Sequence, residues 1–241
     1  MKIQAVTLDA AGTLIKTRRP VGDIYCGIAA DHGASLDPAA LGSAFADVFA
    51  AMPPMTFPEL RGRRAPPDEL DRLERRWWGL LVKDVTDRAG GVPAFEPFFT
   101  DLYDYFATAQ AWVLYPEVEP FLDVLAQREM QVAVVSNFDS RLVTVLRALG
   151  IAERVGPIVY STAAGSAKPD AGIFFDALAA LARDPGECLH LGDSASADYD
   201  GAVAAGLQAG LLRRNARSDH ALETYELRAL TEAVRLLGPA R

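Results

Sequence analysis

Six residues of this 241-residue chain have the types and the setting to do chemistry together: Asp9, Ser136, Asn137, Lys168, Asp193 and Asp198. "VTLDAAGTLI" ends its apolar run at Asp9 and turns through Gly12 and Thr13. "VAVVSN" ends in Ser136 and Asn137, "AKPD" carries Lys168, and "HLGDSASAD" carries Asp193 and Asp198. One Asp in such a place is ordinary turn chemistry, because its carboxylate accepts backbone N–H groups. Several polar strand ends converging on one edge are another matter. Carboxylates gathered at one point repel unless a cation joins them, and an oxygen-rich set with open positions suits Mg2+. Asp9 would then attack phosphorus as a nucleophile and split a hard hydrolysis into two easier steps. Lys168 would balance the added negative charge. Ser136, Asn137 and the N–H groups of the strand-to-helix turns would hold phosphate oxygens.

The elements that must position these residues read clearly. Residues 3–8 form a short buried strand. After about Trp112, "QVAVVSN", "VGPIVYS", "ECLHLGD" and "QAGLLRR" read as strands separated by helical patterns, among them "DSRLVTVLRALG", "DAGIFFDALAALARD" and "ADYDGAVAAG". Such alternation builds a parallel sheet through right-handed crossovers, with ligands beyond the carboxyl ends of the strands. From about Pro20 to Thr108 the pattern is helical instead. Asp37-Pro38 reads as an N-cap and first helical residue, and a long helix opens at Pro67-Asp68 and closes at Gly90-Gly91. The expected fold is α/β, a doubly wound Rossmann-like core with a parallel sheet. The core would comprise residues 1–16 and 110–241, with a helical cap over 17–109.

Composition sets the outer bounds. Half of the chain is apolar and 23% is charged, enough for a real core. The net charge of −8 argues against nucleic acid, which needs a basic face. Cys26 and Cys188 belong to no metal or redox spacing and read as two reduced thiols. No apolar run approaches a membrane span, and "KIQAVTL" reads as a strand, not a leader. The expectation is a cytoplasmic protein acting on a small molecule, without nucleic acid or membrane. The pattern specifies no oligomeric state.

Taken in order, "DAAGTL", "VVSNFD", "AKPD" and "LGDSASADYDGAVAAG" resemble the haloacid dehalogenase-like hydrolases, and the helical insert resembles that family's cap of the first type. Details such as "RRPVGDIY", "SNFDSRL", "KPDAGIF" and "DYDGA" are similar to the subgroup called haloacid dehalogenase-like hydrolase domain-containing protein 3. The resemblance implies Asp9 as nucleophile and metal ligand, with the backbone carbonyl of Ala11 as a second ligand. It implies Thr13 as support for the turn, Ser136 and Asn137 at the transferring group, and Lys168 orienting Asp9. Asp193 would bind Mg2+, with Asp198 as a direct or indirect ligand. Phosphatases of the family carry Asp at the position of Ala11, where it protonates the leaving group and later activates water. Ala11 therefore implies weak activity on alkyl phosphates and a preference for acyl or aryl phosphates, whose leaving groups need little protonation. Three alternatives stand beside this reading. They are a phosphonatase using a cap lysine, for which Lys83 is the candidate; a haloacid dehalogenase; and a catalytically impaired binding or regulatory protein.

Other residues have plainer readings. Arg61, Arg63 and Arg64 form a loop that either grips an anion or is simply solvated, and Arg18 and Arg19 are comparable. Trp77 and Trp78 cannot share a helix face, so one is expected in the core and the other at the cap surface or hinge. Lys83 is expected on a solvated helix face. His190 is expected to be a buried, hydrogen-bonded strand residue, and neither it nor His32 or His220 reads as a metal ligand.

Overall fold

The computed structural model describes residues 2–60, 62, 65–214, 216 and 223–238. Arg61, Arg63, Arg64 and His220 lie outside these described residues.

Six strands form one sheet: β1 (Ala5–Leu8), β4 (Gln131–Ser136), β5 (Ile158–Tyr160), β6 (Cys188–Gly192), β7 (Gln208–Leu212) and β8 (Glu226–Leu227). Their order is β5-β4-β1-β6-β7-β8, and every pairing is parallel. β1 is therefore central. Leu8 aligns with Val134 on one side and Leu191 on the other, so Asp9 follows β1 opposite Val135 and Gly192, and Ser136 and Asp193 come one residue further along the same edge. The two faces of the sheet are covered separately, which is what makes the core doubly wound. Val6 and Leu8 pack with α5 (Val118–Gln127) and α6 (Arg141–Ala148), whereas Ala5, Ala133 and Val135 pack with α8 (Ala171–Leu181) and α9 (Gly201–Ala204). The continuous apolar runs of these strands follow from burial on both faces.

The helical insert comprises α1 (Val21–Asp31), α2 (Pro38–Ala51), α3 (Pro67–Arg88) and α4 (Phe95–Tyr105). It has a core of its own around Ile24, Tyr25, Leu41, Leu81 and Phe98. Asp37 caps α2 as expected, accepting from the N–H groups of Ala39 and Ala40. Two three-residue strands that were not expected bracket the insert. β2 (Ile15–Thr17) and β3 (Trp112–Leu114) pair antiparallel, forming a two-stranded root where the chain leaves and re-enters the core. Strands this short carry too little alternation to be read.

A second difference lies at "ADYD", expected as the start of an ordinary helix. Residues Ala195–Asp200 form a π-helical turn, and only then does α9 begin. Ser194 caps this turn from the N–H of Ala197, and its carbonyl accepts from both Asp198 and Tyr199. The wide turn leaves Asp198 buried against Gly192, where any side chain on that glycine would overlap its carboxylate.

Candidate active site

At the carboxyl ends of β1 and β6 the chain assembles one acidic cluster. Asp9, Asp193 and Asp198 each place an oxygen within 4.8 Å of the others. Lys168, from the segment before α8, reaches into the group with its ammonium 2.7 Å from Asp9 Oδ1 and 2.5 Å from Asp198 Oδ1. Ser136 donates to Asp9 Oδ1 at 3.0 Å. Asp9 Oδ1 is thus fully held, whereas Asp9 Oδ2 is buried and has no hydrogen-bond partner among the described residues. A buried carboxylate oxygen without a partner is costly, and a cation beside it removes that cost.

Charge points the same way. Three carboxylates face one ammonium, leaving an excess that a divalent cation would neutralise. Burial, with the Asp198 and Asp193 charges behind it, pushes Asp9 up to about 6 against the opposing pull of Lys168. Burial and the neighbouring Asp198 also raise Asp193. Burial alone would lower Lys168, but Asp9 and Asp198 outweigh it and hold the ammonium charged. Asp198 is held well below the usual carboxylate range: burial would raise it, and Lys168 with the His190 hydrogen bond prevails.

Thr7 and His190 support this arrangement. They are register partners on β1 and β6, with Thr7 Oγ1 2.9 Å from His190 Nδ1 and His190 Nε2 3.1 Å from Asp198 Oδ1. Burial lowers His190, so the ring is neutral. An ionised carboxylate only accepts, so Nε2 carries the proton, donates to Asp198, and leaves Nδ1 to accept from Thr7. His190 is buried and hydrogen-bonded as expected, but its task of orienting Asp198 was not foreseen. The legible signal was a polar residue at the third place of both "AVTL" and "CLHL".

The turn after Asp9 is built around Gly12, whose φ of +91° favours glycine. A side chain there would also overlap the Asp193 carboxylate. Thr13 is buried, with its hydroxyl toward Asp193 but outside standard hydrogen-bond geometry. Arg214 donates to the carbonyls of Gly12 and Thr13 and pins the turn. Ala11 is exposed and lines a cavity of about 400 Å3 between the insert and the core. Asn137 also lines this cavity, but its amide is occupied. It donates to the Lys168 carbonyl at 2.9 Å and accepts from the Lys168 N–H at 2.7 Å. Its side chain thus fixes the segment that presents Lys168.

The insert is docked over the strand ends by a polar network that sequence reasoning missed. Glu74 of α3 is fully buried and accepts from the N–H and hydroxyl of Ser140 and from the hydroxyl of Thr162. Trp78 donates to Asp139 at 2.7 Å, while Trp77 packs in the insert's own core. Arg141 bonds Asp139 and the Tyr103 carbonyl and stacks 3.8 Å from the Tyr103 ring. Glu74 sits in a charge-rich helix and gives no sequence signal of burial. Arg18 is spent on the carbonyls of Ala109 and Trp112 at the root of the insert. Lys83 is exposed and paired with Asp87.

Residues 3–206 match the family model for haloacid dehalogenase-like hydrolases. The chain is 34% identical to the mouse (Mus musculus) haloacid dehalogenase-like hydrolase domain-containing protein 3, over 92% of this chain and 86% of that one. Among solved structures it is similar to a HAD phosphatase from Thermococcus onnurineus, with TM-score 0.67 and 21% identity over 99% and 100% of the two chains. It is likewise similar to an L-2-haloacid dehalogenase from Xanthobacter autotrophicus, with TM-score 0.71 and 17% identity over 98% of each. The chain belongs to the haloacid dehalogenase-like hydrolase family, and is a hydrolase with the family's α/β fold. A phosphatase and a dehalogenase share that fold, so the reaction must be argued from the site.

Proposed function

We propose that this hydrolase is a Mg2+-dependent phosphatase that works through an aspartyl-phosphate on Asp9 and acts on a small phosphorylated molecule. The observation that carries the reading is Asp9 Oδ2, buried and unpartnered within a cluster of three carboxylates. Asp9, Asp193 and the carbonyl of Ala11 would hold the ion. Asp198, whose oxygens already receive Lys168, His190 and the Ser194 N–H, would complete the negative charge around it. A bound Mg2+ would supply charge neutralisation of the transferring phosphoryl group.

The protein's own groups supply the rest. Lys168 and Ser136 fix the Asp9 rotamer so that its carboxylate faces phosphorus at the strand ends. Attack by Asp9 breaks the bond from phosphorus to the leaving group, whose oxygen keeps the electron pair. Water then attacks phosphorus of the acyl phosphate and restores the carboxylate. Ala11 offers no proton to the first step and no base to the second, so both favour activated substrates. The helices between β2 and β3 would act as a cap, residues 17–109, that excludes water and selects the substrate.

Two observations weigh against the alternatives. A dehalogenase attacks carbon without a metal, whereas Asp9, Asp193 and Asp198 form a cluster that could hold one, and Lys83 is paired on an exposed surface instead of lining the cavity. A binding or regulatory protein without turnover is supported by Ala11 alone. The test is phosphate release from acetyl phosphate and p-nitrophenyl phosphate with and without Mg2+, with Asp9→Asn as the blank. Metal-dependent release lost in Asp9→Asn supports the reading, and release no higher than that blank rejects it.

A further inference from the structure

The cavity of about 400 Å3 touches Ala11 and Gly12, next to Asp9, and opens between the insert and the core. Of the 21 described residues that line it, 10 are aromatic, although only 9% of the chain is. Rings arrive from every helix of the insert, including Tyr25, Phe45, Phe49, Trp78 and Phe99, and Trp112 adds one from β3. The polar side chains nearest the strand ends are already committed. Asn137 bonds the Lys168 backbone in both directions, and Arg141 is neutralised by Asp139. The Trp78 and Trp112 N–H groups are committed to Asp139 and the Phe106 carbonyl, so beyond the hydroxyls of Tyr25, Tyr103 and Tyr115 the rings present faces. A polyol would leave most of its hydroxyls unpaired against them, whereas a flat apolar group would bury its own faces.

Ala11, two residues beyond Asp9, lines the cavity. A methyl group there supplies no proton, and it takes less room in the cavity than the side chain of Asp would. These two facts agree with one leaving group. An aryloxide spreads its charge into the ring and departs without a proton, whereas an alkoxide does not. We infer that the substrate class of this site is an aryl phosphate, a phosphate monoester of a phenolic hydroxyl on a flat, apolar ring system. This inference rests on the phosphatase reading above.

The balance is simple. An Asp9 oxygen bonds to phosphorus as the bond from phosphorus to the phenolic oxygen breaks, and the electron pair stays on the aryloxide, which takes a proton from solvent. Water oxygen then bonds to phosphorus as the bond to Asp9 breaks. Its proton passes to solvent, and inorganic phosphate and the Asp9 carboxylate are released. The aromatic walls hold the ring during the first displacement, after which the phenol is free to leave.

The test separates ring recognition from turnover. Calorimetric titration of the full chain carrying Asp9→Asn, with Mg2+ present, compares 2-naphthyl phosphate, phenyl phosphate and glucose 6-phosphate. The inference predicts naphthyl binding roughly ten-fold tighter than phenyl, with the sugar phosphate weakest. It also predicts that Phe49→Ala in the same background narrows the gap between the two aryl ligands. Phe49 is half exposed (47%), so this variant is expected to fold. Equal affinity for all three ligands, or a gap that Phe49→Ala leaves unchanged, overturns the inference. Acetyl phosphate, which has no ring, is run in parallel on the wild-type protein. Its Mg2+-dependent hydrolysis keeps the phosphatase reading even if ring selectivity fails, and its absence rejects that reading independently of the titrations.

Discussion

Lys168 Nζ lies 2.7 Å from Asp9 Oδ1, joining two side chains 159 positions apart in the sequence. The same ammonium reaches Asp198 Oδ1, and all three groups are buried. One positive charge therefore serves two carboxylates in a place where water cannot.

Lys168→Met is expected to destabilise the protein by about 3–5 kcal/mol, because it leaves buried charge without a partner. It should also abolish turnover. Urea unfolding monitored by circular dichroism checks the first, and a loss below 1 kcal/mol would mean that Asp9 and Asp198 do not depend on this lysine.

Mg2+ should raise the melting temperature of the wild-type protein by roughly 5–10 °C at about a hundred times its Kd. Asp193→Asn changes an exposed side chain and is expected to leave the fold intact while removing that shift. An equal shift in both proteins would place the ion elsewhere.

Gly12→Ala introduces a side chain at φ +91° that also collides with the Asp193 carboxylate. The expected result is a loss of Mg2+-induced stabilisation like that of Asp193→Asn, together with lower stability. Retention of a full Mg2+ shift would show that the turn can relax around the added methyl.

Glu74 supplies a pH dependence away from the acidic cluster. Burial first, then the Asp139 charge, raises it above its ordinary value of 4.5 despite its hydrogen bonds from Ser140 and Thr162. The folded protein therefore binds this proton more tightly than the unfolded chain does. Its stabilising contribution is complete below 4.5 and is lost as pH rises through the folded value. Glu74→Gln should gain stability relative to wild type as pH is raised from 4.5 to 8. Melting temperatures of the two proteins across that range check this, and a constant difference would contradict it.

Ala11→Asp places a carboxyl group at an exposed position that lines the cavity. It is expected to raise turnover of alkyl phosphates by up to about 10²–10⁴. Steady-state kcat/KM measures it; no gain in a folded variant would mean that site geometry, not the absent acid, limits the rate.

Much of the architecture was legible because burial on both faces gives strands such as "VAVVS" an unbroken apolar run, while loops carry Gly, Pro and Asp. The same logic anticipated that Asp9, Ser136, Lys168, Asp193 and Asp198 would come together, since parallel strands deliver their carboxyl ends to one edge. What escaped was set by tertiary contacts. Glu74 reads as a solvated helix charge until Ser140 and Thr162 enclose it. The hydrogen bonds between the Asn137 amide and the Lys168 backbone join residues 31 positions apart and leave no sequence signal. The β2–β3 root is too short for any periodicity, and the π-helical turn at Ala195–Asp200 looks like an ordinary helix start because its spacing depends on where Asp198 must point.

The most direct test of the central claim is to trap the intermediate. Without a base at Ala11 its breakdown should be slow, so acid quenching after mixing with labelled p-nitrophenyl phosphate and Mg2+ should leave label on the protein. That label should be released by hydroxylamine, accompany a burst of p-nitrophenol close to the enzyme concentration, and be missing from Asp9→Asn. Turnover without a burst or trapped label, or equal labelling of Asp9→Asn, would contradict an aspartyl-phosphate on Asp9.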